Sequence, residues 1–154
     1  MNFAKIFATA ASAAAIVLTP APVLATGSSE AENIRRLDIM LMVTSLRCRM
    51  GADDFQPHYR EFSANHLSTL NTAARSLEAG LVAQHGARGA KRALDQISVR
   101  MANEYGQGHP WLGCGELKQI TSDLAVSRDP AAVGFAATEL LAASPRIGGR
   151  FAAR

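Results

Sequence analysis

Residues 53–85 read DDFQPHYREFSANHLSTLNTAARSLEAGLVAQH. Within them Phe55, Tyr59, Phe62, His66, Leu70, Ala73, Leu77 and Leu81 recur every three or four positions, the longest periodic run in the chain. That spacing puts all eight on one face of an α-helix, whereas a strand would need alternation by two. Asp53 or Asp54 can cap the helix start, and Pro57 falls in or near the first turn, where its missing N–H costs little. The run predicts a helix from about Asp53 to Gln84, ended by His85-Gly86.

The flanking segments repeat the pattern. Upstream, Ile34, Leu37, Leu41 and Cys48 form a stripe widened by Met40, Val43 and Leu46, which predicts a helix over 30–50 stopped by Gly51. Thr26-Gly27-Ser28-Ser29 reads as a mobile polar lead-in. Downstream, Ala90, Leu94, Ile97, Met101 and Tyr105 predict a helix over 89–105, with Gly106 in the C′ position. A fourth helix starts near Cys114 or Gly115 with Leu117, Ile120 and Leu124. A fifth is signalled by Asp129-Pro130 and carries Val133, Ala136, Leu140 and Leu141. Ala is abundant, and runs of Val, Ile, Thr and aromatics are missing. The fold class expected is all-α, a compact bundle of about four to five helices with short connections and no internal repeat.

The N-terminus carries an address. Met1-Asn2-Phe3-Ala4-Lys5 is a short basic lead, and Ile6 to Leu18 is uncharged and mostly apolar. Thr19-Pro20-Ala21-Pro22 breaks it before Val23-Leu24-Ala25. This is the layout of a cleavable secretory signal over 1–25, with the cut expected after Ala25. Its apolar core is 13 residues, short of the roughly 20 a spanning helix needs. The remaining organisation is a helical domain over 26–143 and a Pro-, Gly- and Arg-containing disordered tail over 144–154. The expected location is periplasmic or secreted, with no membrane span in the mature chain. Without the signal the formal charge is +2, a weak field that argues against nucleic acid as a partner.

Two cysteines in an exported protein read as one disulfide, here Cys48 to Cys114, tying the first helix to the fourth. Closing that loop stabilises the fold by about 4 kcal/mol in the chain-entropy account. Arg47 and Arg49 beside Cys48, and a helix start at Cys114, would instead favour a reactive thiol, although no Cys-x-x-Cys occurs.

The most individual stretch is Tyr105 to Cys114, with the only Trp, a His and three Gly. Its functional reading makes His109 a general base, Trp111 a ligand platform, and Glu104 and Tyr105 their partners. Its structural reading makes the glycines a tight turn and Trp111 a core plug beside the bridge. The four histidines, His58, His66, His85 and His109, form no ligand pair at metal-site spacing. His66, inside an apolar stripe, reads as a semi-buried structural residue. Gly86 to Arg92 is no phosphate loop, and no Gly-x-Ser-x-Gly elbow exists. No catalytic residue, metal or cofactor is assigned.

The stretch Leu37-Asp-Ile-Met-Leu-Met-Val-Thr-Ser-Leu-Arg-Cys-Arg49 followed by Asp53-Asp54-Phe55-Gln56 resembles a group of small exported helical proteins of alphaproteobacteria. The segments Ala90-Lys-Arg-Ala-Leu-Asp95, Met101-Ala-Asn-Glu-Tyr-Gly106 and His109-Pro-Trp-Leu-Gly-Cys114 resemble the same group. The resemblance spans roughly residues 34–125 and implies secretion and a Cys pair but no activity. Similar chains are sometimes named adenosylhomocysteine hydrolase. This chain is too short for that and lacks the nucleotide-binding βαβ signature. The expected function is an exported, non-enzymatic helical module that binds a protein, peptide or envelope component. The alternatives are a small periplasmic enzyme using the His109–Trp111 loop, or a redox or metal-handling protein.

Overall fold

The computed structural model describes residues 24–142. Residues 1–23 and 143–154, which hold nearly all of the expected signal and the whole expected tail, lie outside the described residues. Five helices are present and no strand among the described residues: α1 (Leu24–Cys48), α2 (Gln56–Asn65), α3 (Leu67–Glu104), α4 (Cys114–Val126) and α5 (Pro130–Leu140).

The all-α expectation holds, and two details differ. Helix α1 takes in the residues read as a mobile lead-in and stops at Cys48. The long run from Phe55 to Leu81 is not one helix but two, divided at His66. Both helices keep the same apolar stripe, so periodicity alone could not reveal the break. The expected stop at His85-Gly86 is met at the backbone of Gly86. Gly86 (φ 67°, ψ 168°) interrupts the helical backbone, yet helical hydrogen bonding resumes at once. That region of backbone space is open essentially to glycine alone.

At Gly86 the chain turns back. Leu70 and Ala73 at the start of α3 share one core with Tyr105 just after its end. A straight helix of 38 residues would hold its ends roughly 57 Å apart. So α3 is a hairpin of two arms, 67–85 and 87–104, with Gly86 at the tip. Leu77 and Leu81 on one arm pack with Ala90, Ala93, Leu94 and Ile97 on the other.

Helix α1 is the centre of the molecule and packs against all four other helices. Its Leu37, Met40 and Leu41 are fully buried with Phe55 and Phe62 from the second segment, Leu117 from α4 and Val133 from α5. Each such side chain contributes about 1.5–3 kcal/mol through lost contact with water. Three hydroxyls buried in this core, those of Thr44, Ser45 and Thr121, donate to carbonyls one turn back, at 2.7, 2.8 and 2.6 Å. They therefore escape the cost of an unpaired buried polar group.

The helix starts follow their sequence signals. The Asp129 carboxylate accepts from Ala131 N at 2.9 Å, with Pro130 opening α5. Asp54 does the same for Gln56 N at 2.9 Å, so α2 begins two residues later than the acidic pair suggested. At α4 the Glu116 carboxylate reaches back to Gly113 N at 2.9 Å. The expected bridge is present: Cys48 and Cys114 are disulfide-bonded with Cα atoms 5.7 Å apart, joining the last residue of α1 to the first of α4.

Candidate functional site

The loop from Tyr105 to Gly113 joins the second arm of α3 to α4 and ends at the bridge. Gly108 has φ 106°. That left-handed backbone favours glycine, and a Cβ there would stand 3.3 Å from Nε of the exposed Arg47. Cys48 ties the end of α1 to the residue that follows this loop, Cys114.

His109 is buried beneath the loop. Its Nε2–H donates to Leu140 O at 2.9 Å, and its Nδ1 accepts from Leu112 N at 3.2 Å and, more loosely, from Trp111 N at 3.4 Å. Both ring nitrogens are used by backbone. A general base needs a free nitrogen within reach of substrate, and His109 offers none. Burial pushes its pKa below the ordinary value, while the Leu140 carbonyl and Glu116 act in the opposite sense. The neutral ring is the form this geometry holds.

The plug of the loop is therefore His109 and not Trp111. Trp111 is only half-buried and sets its ring edge-on to His109, centroids 4.6 Å apart. Tyr105 is buried and lies nearly parallel to the His109 ring at 6.3 Å. Burial raises its pKa, with the Glu104 charge adding to the rise and Arg36 opposing it. Glu104 is exposed and ion-paired to Arg36 of α1, which also meets Glu32 at 3.3 Å. Of the four residues singled out, Tyr105, His109 and Trp111 form one cluster of rings, and Glu104 faces the surface.

His66 repeats the His109 arrangement at the other end of the core. Its Nε2 is 2.9 Å from Leu124 O, and Asn65 Nδ2 donates to Ala125 O at 2.7 Å. Leu124 and Leu140 both lie in the last turns of their helices, where carbonyls have no intrahelical donor. Each buried histidine supplies the missing donor for one helix end. This explains why α2 and α3 part at His66: the residue is fixed to α4.

Two features were not foreseen from the sequence. The first is a partly buried polar cluster linking α1, α2 and α3. Tyr59 donates to Asp38 Oδ1 at 3.0 Å, Arg35 meets Asp38 Oδ2 at 3.4 Å, and Arg35 also reaches Ser98 at 3.4 Å. Burial raises the pKa of Asp38, with the Tyr59 hydrogen bond and Arg35 opposing. Burial and the neighbouring Asp38 charge hold the Tyr59 hydroxyl protonated, far above its ordinary range. Arg35 Nε is buried with no partner among the described residues. An acid set between the core positions Leu37 and Ile39 was the one available sign of this cluster.

The second feature is an apolar row that the fold leaves uncovered. Met42 and Leu46 are 37% and 44% exposed on the last turns of α1, and Met50 in the turn beyond is 88% exposed. They had been expected only to widen the core stripe, or had gone unmentioned. Arg47 and Arg49 beside them have no ion pair among the described residues.

Among the described residues no group of three or more His, Cys, Asp or Glu is placed to hold a metal ion, and no cysteine is free. A shallow groove of about 400 Å³ lies between α1 and α5, lined by Glu30, Asn33, Gly134 and Thr138 among others. No helix among the described residues is long and apolar enough to cross a membrane. The site and fold together define a disulfide-tied five-helix protein with a histidine-braced core. No family model, curated protein or solved structure matches the chain.

Proposed function

We propose that this protein is an exported helical binding module that engages another protein or peptide through the end of α1. The observation that carries the reading is the row Met42, Leu46 and Met50, exposed beside the Cys48–Cys114 bridge. Large apolar side chains left in a row cost solvation unless a partner covers them. Methionine suits such a surface because its unbranched side chain adapts to different contours. The bridge fixes the end of α1 that carries the row, so docking loses little conformational freedom. Export is supported by the layout of residues 1–25 and by the disulfide, a bond that persists in oxidising compartments.

The enzyme reading through His109 loses its base, since both nitrogens are bound by backbone. The redox reading loses its thiol, since both cysteines are in the bridge.

The test is photo-crosslinking from position 46 in the cells that make the protein, after fractionation has located it. The expected result is a discrete adduct from position 46, none from the exposed position 75 on α3, and loss of the adduct in a Met42→Glu background. A cytoplasmic location, or equal labelling from both positions, would overturn the proposal.

A further inference from the structure

The chain holds its sulfur in two chemical forms, and the fold decides which of it can react. Both cysteines are committed to the Cys48–Cys114 bridge, and no cysteine is free. A thiolate is the sulfur that ordinarily meets an oxidant first. Here none is present to intercept one, so the first oxidisable sulfurs of this chain are its thioethers.

Five methionines occur, at positions 1, 40, 42, 50 and 101. Met1 lies outside the described residues. The other four divide into two pairs. Met40 and Met101 are 0% and 1% exposed, whereas Met42 is 37% and Met50 88% exposed. Met40 is closed in by the core, with Thr44 Oγ1 3.9 Å from its Sδ. Met50 stands outside any helix, two residues beyond Cys48, and residues 49–53 around it are all exposed. Neither Met42 nor Met50 belongs to the core cluster.

We infer that Met50, and after it Met42, are oxidation sites of this protein, each taking one oxygen atom from hydrogen peroxide to become the sulfoxide while the fold stays intact. A lone pair on sulfur attacks one peroxide oxygen. The S–O bond forms as the O–O bond breaks, and the proton on the transferred oxygen passes to the departing hydroxide, which leaves as water. Sulfur loses two electrons and the peroxide gains them. The reagent and the water that solvates the departing hydroxide must both reach the sulfur. The surroundings of Met50 admit them, and those of Met40 and Met101 do not.

The return step needs two thiols, which become a disulfide as the oxygen leaves as water. Both cysteines of this chain are already bridged, so repair falls to a separate thiol-dependent reductase, to which the turn carrying Met50 lies open. The sulfoxide oxygen is polar and accepts hydrogen bonds, so the modified row is polar at the two positions where the native one is apolar. The inference needs no occupant for that row.

The test exposes the purified mature chain, with its bridge intact, to dilute hydrogen peroxide at neutral pH. Intact mass counts the oxygen atoms taken up, and peptide mapping places them. Uptake is expected at Met50 first and at Met42 second, and then to stop at two atoms, with circular dichroism still helical. Met50→Leu should remove the fast first uptake and leave the second. In denaturant all four methionines should react alike, as they would if the fold alone protects Met40 and Met101. A methionine sulfoxide reductase supplied with its thiol donor should return Met50 to the thioether. Oxidation of Met40 or Met101 as fast as Met50, Met42 reacting ahead of Met50, or loss of the helical signal with the first oxygen would each overturn the inference.

Discussion

The body of the molecule and the outer half of the α3 hairpin are built from the same kind of helix, yet they are held very differently. In the body, α1 is surrounded by four helices, with nineteen buried residues in one apolar cluster, a disulfide and two histidine clamps. In the outer hairpin, two arms cover only each other. Three residues there, Leu77, Leu81 and Ala90, are buried, and Val82 through Arg88 are all exposed. A cluster of three side chains supports its own region far less than one of nineteen. Local opening should therefore begin at Gly86 and leave the body intact. Amide hydrogen exchange would measure this directly, with residues 78–97 expected to exchange well before Leu37 to Leu41. Uniform protection across both regions would remove the distinction.

The largest effect expected is on the body. Cys48→Ser, or reduction, should cost about 4 kcal/mol, with a fall in Tm of 10 °C or more by calorimetry. An unchanged melting curve with and without reductant would mean the bridge adds nothing. Next come matched cavities. Leu37→Ala should cost about 2–5 kcal/mol of global stability. Leu81→Ala should cost less in denaturant unfolding and show itself mainly as faster exchange in the hairpin. If the two variants melt alike, the hairpin belongs to the same cooperative unit as the body. Gly86→Val should strain the tip by about 1–3 kcal/mol, again read by exchange in residues 78–97 more than by Tm.

The smallest effect concerns acid. His109 has a folded pKa below its ordinary 6.5, so the unfolded chain takes up a proton that the folded chain refuses. Its contribution to stability is therefore complete above pH 6.5 and is lost as pH falls below that value toward the folded pKa. Urea midpoints measured from pH 7.5 down to pH 5 should decline, and His109→Gln should flatten the decline while lowering stability at neutral pH. A steeper decline in the variant would show that His109 is not the group responsible.

Much of this was legible in the sequence, and the residues that were not share a cause. The start of α5 at Asp129-Pro130, the start of α4 at Cys114 and the Cys48–Cys114 bridge depend on local or compositional signals. The same holds for the turn at His85-Gly86. The break at His66 depends on the carbonyl of Leu124, 58 residues away. The role of His109 depends on Leu140, 31 residues away. In both cases the side chain sits in or near an apolar pattern, and its partner is a backbone atom that carries no sequence signature. The exposure of Met42 and Leu46 was hidden for the opposite reason. An apolar residue at helical spacing looks the same whether another helix covers it or not.

The central position of α1 has a consequence for how the chain is made. Among the described helices it is the first to be made, and its packing surface is finished only when α5, the last of them, arrives. Until then the cluster that holds Leu37, Met40 and Leu41 lacks Val133, Ala136, Ala137 and Leu140. A nascent chain that stops after Val126 would hold every element of the hairpin and still present an open core. The core must therefore close late, when α5 meets α1, and any factor that attends the chain during synthesis would have α1 as its natural grip.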